Sequence, residues 1–142
     1  MPETYPIHDL YIKNIQPIEE TGIIRWPTLR DSDHILRRFG FAEVVRTYPK
    51  SAVKLMVREV ADEVWALCEG KVEFHWHDLR QNSPTFDNQY RLICDRPTLL
   101  LVPFGVAFGY RVLEGPATLL RLATHDEGVH KGDYQIPWEV EA

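Results

Sequence analysis

Val72, Phe74 and Trp76 alternate with Lys71, Glu73, His75 and His77, a period of two that a strand with one buried face satisfies. Shorter stretches of the same character recur at 9–15, 41–48, 51–57, 61–69, 88–94, 97–102, 106–113 and 117–124. Turn formers separate them at Pro49, Gly70, Asn82 to Pro84, Asp95 to Pro97, Pro103 to Gly105 and Gly115-Pro116, so Gly70 reads as a tight turn between two strands. Many short strands at this spacing predict an all-β sandwich or barrel. One segment departs from the pattern. Asp31-Ser32-Asp33 is placed to cap a helix of about two turns through Ile35, Leu36 and Phe39, with Gly40 ending it. The tail from His125 to Ala142 has weak periodicity and is expected as an irregular or edge segment packed on the barrel.

Composition narrows the picture. With 142 residues, 44% of them hydrophobic, the chain suits one domain with its own core. A net charge of −5 with both signs interspersed lacks the basic stripe of a nucleic-acid surface. The longest apolar run, Leu99 to Tyr110, is broken by Pro103 and falls short of the roughly 20 residues a membrane helix needs. Met1 to Glu20 lacks the charged start and apolar run of a secretion signal. A soluble cytoplasmic protein is expected, with no nucleic-acid or membrane partner. Cys68 and Cys94 both fall in strand-like patterns and are expected as buried free thiols.

Two segments carry more specific information. Asp78-Leu79-Arg80-Gln81-Asn82-Ser83-Pro84-Thr85-Phe86 and Val102-Pro103-Phe104-Gly105-Val106-Ala107-Phe108-Gly109-Tyr110 together resemble the D-L-R-x-x-S-P-T-F and I-P-x-G-x-A-H-G-F signature of the dTDP-4-dehydrorhamnose 3,5-epimerase family. The resemblance is strongest from 70 to 113. It implies a cupin-type antiparallel jelly roll, a homodimer paired through strand edges, and a small-molecule ligand such as a dTDP-sugar. Where the family has a histidine, this chain has Phe108.

The cupin motifs are also represented without their metal ligands. Glu63 and Gly70 match the E-x6-G half of the first motif and Pro103-Phe104-Gly105 the P-x-G of the second. The histidine positions of metal-binding cupins fall within Lys54 to Glu59, which contains no histidine, and on Phe108. Transition metals in such sites rely on imidazole nitrogen, so neither a metal nor another cofactor is expected. His75 and His77 point to one face of a strand, as a metal would require. That face also carries Lys71 and Glu73, opposite the apolar side, and the two are expected as surface or interface histidines. His8, His34, His125 and His130 have no ligand-like spacing.

The epimerase family is metal-free: a histidine takes the proton beside a keto group and a tyrosine on the opposite face returns one. Counted from Gly70, the base falls at Val53, an enolate-stabilising lysine at Glu63 and an aspartate at Phe74; counted from Phe108, the acid tyrosine falls at Arg121. All four side chains differ from the family's. No histidine lies between Ile35 and Phe74, so no shift of register restores the base. Strand alternation directs Glu63, Trp76, Phe108, Tyr110 and Arg121 to the barrel interior. Glu63 and Arg121 are expected to meet, because a buried carboxylate and guanidinium are costly alone and tolerable together. Two further positions carry the resemblance to nucleotide binding. The arginine that precedes the family's base falls at Lys50, which keeps the charge and loses bidentate geometry, and the D-x-R-G arginine falls at Arg38.

The expected function is therefore that of a divergent relative binding a nucleotide sugar or other small anionic ligand without the standard acid and base. Two alternatives stand beside it: an active epimerase or isomerase with Glu63 or Tyr110 in a replacement role, and a non-catalytic dimeric scaffold. Purified protein is expected to carry no stoichiometric transition metal. Elemental analysis finding about one zinc, iron or manganese per chain, lost on mutation of His75 or His77, would overturn the placement of those residues.

Overall fold

The computed structural model describes residues 5–51, 54–128 and 130–138. Its strands are β1 (Ile12–Asn14), β2 (Ile18–Glu20), β3 (Ile23–Arg25), β4 (Phe41–Thr47), β5 (Lys54–Val57), β6 (Glu63–Asp78), β7 (Gln89–Cys94), β8 (Thr98–Val102), β9 (Val106–Ala123) and β10 (Tyr134–Pro137). The position counted for the family's base, Val53, lies outside the described residues, as do residues 1–4 and 139–142.

Two long antiparallel strands organise the rest. β6 and β9 pair from Glu63↔Ala123 to Asp78↔Val106. The first half of β6 also pairs with β8 and the second half with β7; β9 pairs with β5 at Phe108 and with β4 from Ala117 to Ala123. β1 borders β8 and β10 borders β5. The long pair thus belongs to both walls of an antiparallel jelly roll, the all-β barrel of the strand pattern in the cupin-type form that the resemblance implied.

The bend lies where Gly70 and Gly115-Pro116 sit, and both expectations of a chain-reversing turn there are corrected. Register shifts between Leu67 and Val72 bulge the ladder, but β6 and β9 continue through the bend. Gly70 has φ 105° and passes so close to β9 that a Cβ would stand 2.7 Å from Ala117 Cα. A bulge increases local twist and needs an extra residue, often glycine, so the same sequence signal marks a kink here.

The inner face carries Trp65, Leu67, Val72, Phe74, Trp76, Phe108 and Leu119. Behind it, Val64, Ala66 and Leu99 are covered by Tyr11, Ile15, Leu29, Ile35 and Leu36 of the N-terminal segment. Residues 63–67 of β6 are therefore buried on both faces. Cys94 is buried as expected, whereas Cys68 is exposed. Cys68 shares the outward parity of Val64 and Ala66 but lies at the bulge, beyond their cover.

The expected two-turn helix is absent. A single 3-10 turn spans Asp31–Asp33, and His34 closes it in the left-handed region at φ 55°. Asp33 does cap this turn, its carboxylate accepting from the Arg30 amide, and it accepts from Lys13 Nζ and Tyr11 Oη as well, but the helical conformation ends at His34. Ile35 and Leu36 instead pack flat on the outer sheet. Gly40 serves a close approach, since a Cβ there would lie 2.5 Å from the His125 backbone. The β2–β3 hairpin was not foreseen; all its residues are exposed, so no burial periodicity announces it.

The two signature motifs form one fastening. Asp78 is fully buried and accepts hydrogen bonds from the Arg80 amide and Nε, from Arg80 Nη2, and from the Ser83 and Thr85 hydroxyls. Arg80 Nη2 also donates to the His8 carbonyl at 2.8 Å, and the His8 amide donates to Thr85 Oγ1 at 2.8 Å. Gly105 of the second motif, at φ 81°, lies against this arginine: a Cβ there would be 2.6 Å from Arg80 Cγ. Burial opposes the Asp78 anion, but the donors from Arg80, Ser83 and Thr85 outweigh it and hold its pKa well below the usual carboxylate range.

A depressed folded pKa means that Asp78 contributes stability above its unfolded pKa of about 3.9, and that this is lost as pH falls from there toward the folded value. Asp78→Asn is expected to cost about 1.5–3 kcal/mol at pH 7 and to flatten the acid limb of the stability profile below about pH 4. Urea midpoints measured across pH check both; an unchanged acid limb would show that Asp78 is not a source of it.

Candidate ligand site

Between β5, the middle of β9 and the start of β6 lies a cavity of about 790 Å³. Its floor is an ion cluster centred on Glu63. The carboxylate receives two donors on each oxygen: Trp65 Nε1 at 2.9 Å and Arg121 Nε at 3.2 Å on Oε1, and Arg58 Nη1 and Arg121 Nη2, both at 2.5 Å, on Oε2. Arg58, Glu63 and Arg121 are all buried. Alternation on β6 turns Glu63 and Trp65 to the same side, and the Glu63↔Ala123 register brings Arg121 across from Trp65.

Each guanidinium is held further out as well. Arg58 donates from Nε to Asp133 Oδ2 at 3.0 Å and from Nη2 to the carbonyls of His125 and Asp126. Arg121 donates to Glu43 Oε2 at 2.9 Å, lies 3.6 Å from Glu127 Oε1, and is flanked by the rings of Phe41 and Trp65. Burial disfavours the Arg121 cation, yet its hydrogen bonds to Glu63 and the surrounding carboxylates outweigh that and raise its pKa above the ordinary guanidinium value.

The wall is aromatic. Trp65 meets Phe108 at 5.6 Å and Tyr110 at 5.5 Å between ring centroids, and Phe74 stacks on Phe108 at 5.9 Å. Tyr110 Oη lies 2.7 Å from Thr47 Oγ1. Burial raises the Tyr110 pKa, offset in part by the Thr47 hydrogen bond, so the phenol keeps its proton at neutral pH. Lys50, Ser51, Lys54 and Gln135, all exposed, also line the cavity, as does Arg111.

Of the residues singled out in the sequence, Lys50, Glu63, Phe108, Tyr110 and Arg121 line this cavity. Trp76 does not. It points inward as alternation requires but is fully buried behind Phe108 and stacked on Tyr90, because the barrel is filled at that depth. Arg38 lies outside the cavity, exposed and 3.2 Å from His125 Nε2. Sequence reasoning missed Arg58 and Trp65. Trp65 was available from the period-two pattern two positions after Glu63. Arg58 follows the end of β5, and nothing local reveals its partners, which come from 63 and from 125–133.

His75 also corrects an expectation. It is 2% exposed, with Nε2 at 2.9 Å from Gln89 Oε1 and its ring against Trp138. The C-terminal segment after β10 covers a face that would otherwise meet solvent. Burial lowers the His75 pKa. His77 remains partly exposed beside Asp87. Among the described residues, no three His, Cys, Asp or Glu side chains cluster as a metal ion would need.

Solved structures share this architecture. A dTDP-4-dehydrorhamnose 3,5-epimerase from Bacillus anthracis str. Ames, with TDP and PPi bound, matches with a TM-score of 0.81 at 18% identity, covering 99% of this chain and 90% of that one. A dTDP sugar isomerase from Desulfovibrio desulfuricans G20 matches at 0.78 and 19% identity, covering 96% and 88%. An epimerase from Legionella pneumophila Philadelphia 1, in complex with dTDP-4-keto-L-rhamnose, matches at 0.77 and 18% identity, covering 92% and 73%. The fold thus defines the class, a dTDP-4-dehydrorhamnose 3,5-epimerase-like jelly roll. In sequence, the spore coat polysaccharide biosynthesis protein SpsL of Bacillus subtilis (strain 168) is 35% identical over 117 residues, 80% of this chain and 78% of its own length. The chain belongs to the family of SpsL. No family model matches it.

The floor predicts an order of mutational costs. Glu63→Leu strands two buried guanidiniums and is expected to cost about 3–5 kcal/mol. Arg121→Leu leaves Glu63 with Arg58 and Trp65 and should cost less, about 1.5–3 kcal/mol. Denaturant titration of both variants checks the order, and its reversal would mean that Arg58 does not hold Glu63 in solution.

Proposed function

We propose that the cavity binds a nucleotide sugar of the dTDP-sugar kind and does so without the proton abstraction that defines the epimerases. The observation that carries this reading is the saturation of Glu63. A carboxylate offers about four lone-pair sites, and four donors engage it here. A general base must reach the proton it removes with a free lone pair, and Glu63 has none to present. Tyr110, held protonated and hydrogen-bonded to Thr47, suits orienting a sugar oxygen rather than accepting a proton from carbon.

Binding is supported by the division of the cavity. Lys50, Lys54 and Arg111 are among the lining residues, and a diphosphate beside them would gain charge-assisted hydrogen bonds. Trp65, Phe108 and Tyr110 offer faces for the apolar side of a sugar ring. Structural neighbours with TDP and PPi or dTDP-4-keto-L-rhamnose bound support this ligand class. In this reading the protein is a single-domain cytoplasmic homodimer. Ile18, Ile23, Ile24 and Trp26 on and beside the β2–β3 hairpin are exposed, and an isolated two-stranded hairpin is marginal in water.

Thermal-shift and calorimetric titrations with dTDP and dTDP-glucose test the binding. Saturation at about a hundred times Kd should add roughly 2.7 kcal/mol of stability, and free glucose should add far less. Incubation with dTDP-4-dehydro-6-deoxyglucose in deuterated water should leave the C3 and C5 protons unexchanged. No stabilisation by either nucleotide would sink the ligand assignment, and enzyme-dependent deuterium incorporation would reveal a base elsewhere in the cavity.

A further inference from the structure

The outer face of β6, β7 and β9 holds a second built arrangement. Trp138, immediately after β10, sits edge-on to His75 at 4.9 Å between centroids. The guanidinium carbons of Arg91 and Arg111 lie 5.5 and 5.9 Å from its ring centroid. Trp138 packs with Ile136 on Leu55, Val57 and Ala107, while β10 runs along β5 from Tyr134↔Val57 to Pro137↔Lys54. His75 Nδ1 and Trp138 Nε1 find no hydrogen-bond partner among the described residues. The ring is thus seated by packing and by two cations, not by a polar lock.

This strap meets the ligand cavity at two points. Gln135 of β10 and Arg111 of β9 both line it, and Trp138 does not. Arg111 is therefore shared: its side chain lies on the outer face, where Nε donates to Glu73 Oε1 at 2.7 Å and the guanidinium lies toward the indole, and the residue also borders the cavity. A guanidinium stacked on a ring keeps edge donors for an anion, and fixing a long side chain before the ligand arrives lowers the ordering cost of binding.

We propose that Trp138 is a positioning residue for the ligand site, holding Arg111 where it borders the cavity and keeping β10 seated beside β5 in the cavity wall, so that anion binding and the seating of Trp138 are coupled. The inference rests on the nucleotide-sugar reading of the cavity. Losing the stack frees about one rotamer-rich side chain, so Trp138→Ala should weaken dTDP binding about three- to tenfold. Trp138→Phe keeps an aromatic face and should recover most of the affinity.

Fluorine NMR of protein labelled with 5-fluorotryptophan, with the Trp138 resonance assigned through Trp138→Phe, gives a readout that needs no destabilising variant. Titration with dTDP is expected to shift that resonance although Trp138 lies outside the cavity, and Arg111→Gln should abolish the shift. Calorimetric titration of the Trp138 variants with dTDP supplies the affinities. A Trp138 resonance unmoved at saturating dTDP, or wild-type affinity in Trp138→Ala, overturns this inference alone. Absence of dTDP binding by the wild-type protein overturns the cavity reading along with it.

Discussion

The Glu63 carboxylate is the point on which the interior depends. Through four donors it joins the start of β6 to the end of β9, and through Arg58 it reaches the segment at 125–133. Arg121 carries the same connection to Glu43 on β4. Removing such charges from water costs several kcal/mol for each ion, and the cost is met only when every lone pair and proton is used. One arrangement satisfies all of them, so the floor of the cavity is rigid. The chemical character of the site follows: it can present shape, aromatic faces and cationic donors, but no idle carboxylate.

The aromatic wall completes that exchange of character. Phe74 and Phe108 stack on one another beside Trp65, Tyr110 and Trp76. Rings in offset or edge contact add about 0.5–1.5 kcal/mol for each pair beyond their buried area. Packing of rings, and not polar side chains, fills this part of the interior. Tyr110, tied to Thr47, brings a hydroxyl to this wall.

Most of the fold was legible because period-two burial is a local property. Alternation within each half of β6 placed Glu63 in the first half and Phe74 and Trp76 in the second on the correct face, and the bulge between Leu67 and Val72 changes the phase between the halves. The misreadings share one cause, the intervention of residues distant in sequence. Gly70 and Gly115-Pro116 carry turn chemistry, but β6 and β9 hold each other across the bend and convert it to a kink. Asp31 to Asp33 carry helix-start chemistry and do form a capped turn, but Ile35 and Leu36 beyond it are taken up by packing on Val64, Ala66 and Leu99. His75 looked solvent-facing because its cover, Trp138, comes from the far end of the described chain. Within the site, the meeting of Glu63 and Arg121 followed from the cost of burying either alone, whereas Arg58 lies on no periodic segment.

The fastening around Asp78 places its donors, its acceptor and the glycine beside them at the closed end of β6, with no side chain of Glu63, Arg58 or Arg121 among them. Scaffold and chemistry are therefore separable in this architecture. The Asp78–Phe86 segment secures a joint and lends no side chain to the cavity, whereas the second segment both packs Gly105 on that joint and sends Phe108 and Tyr110 into the cavity wall. For protein engineering, that joint is a fixed foundation: the inward positions of β6 and β9 can be rewritten for a new ligand while the Asp78 cluster is left alone.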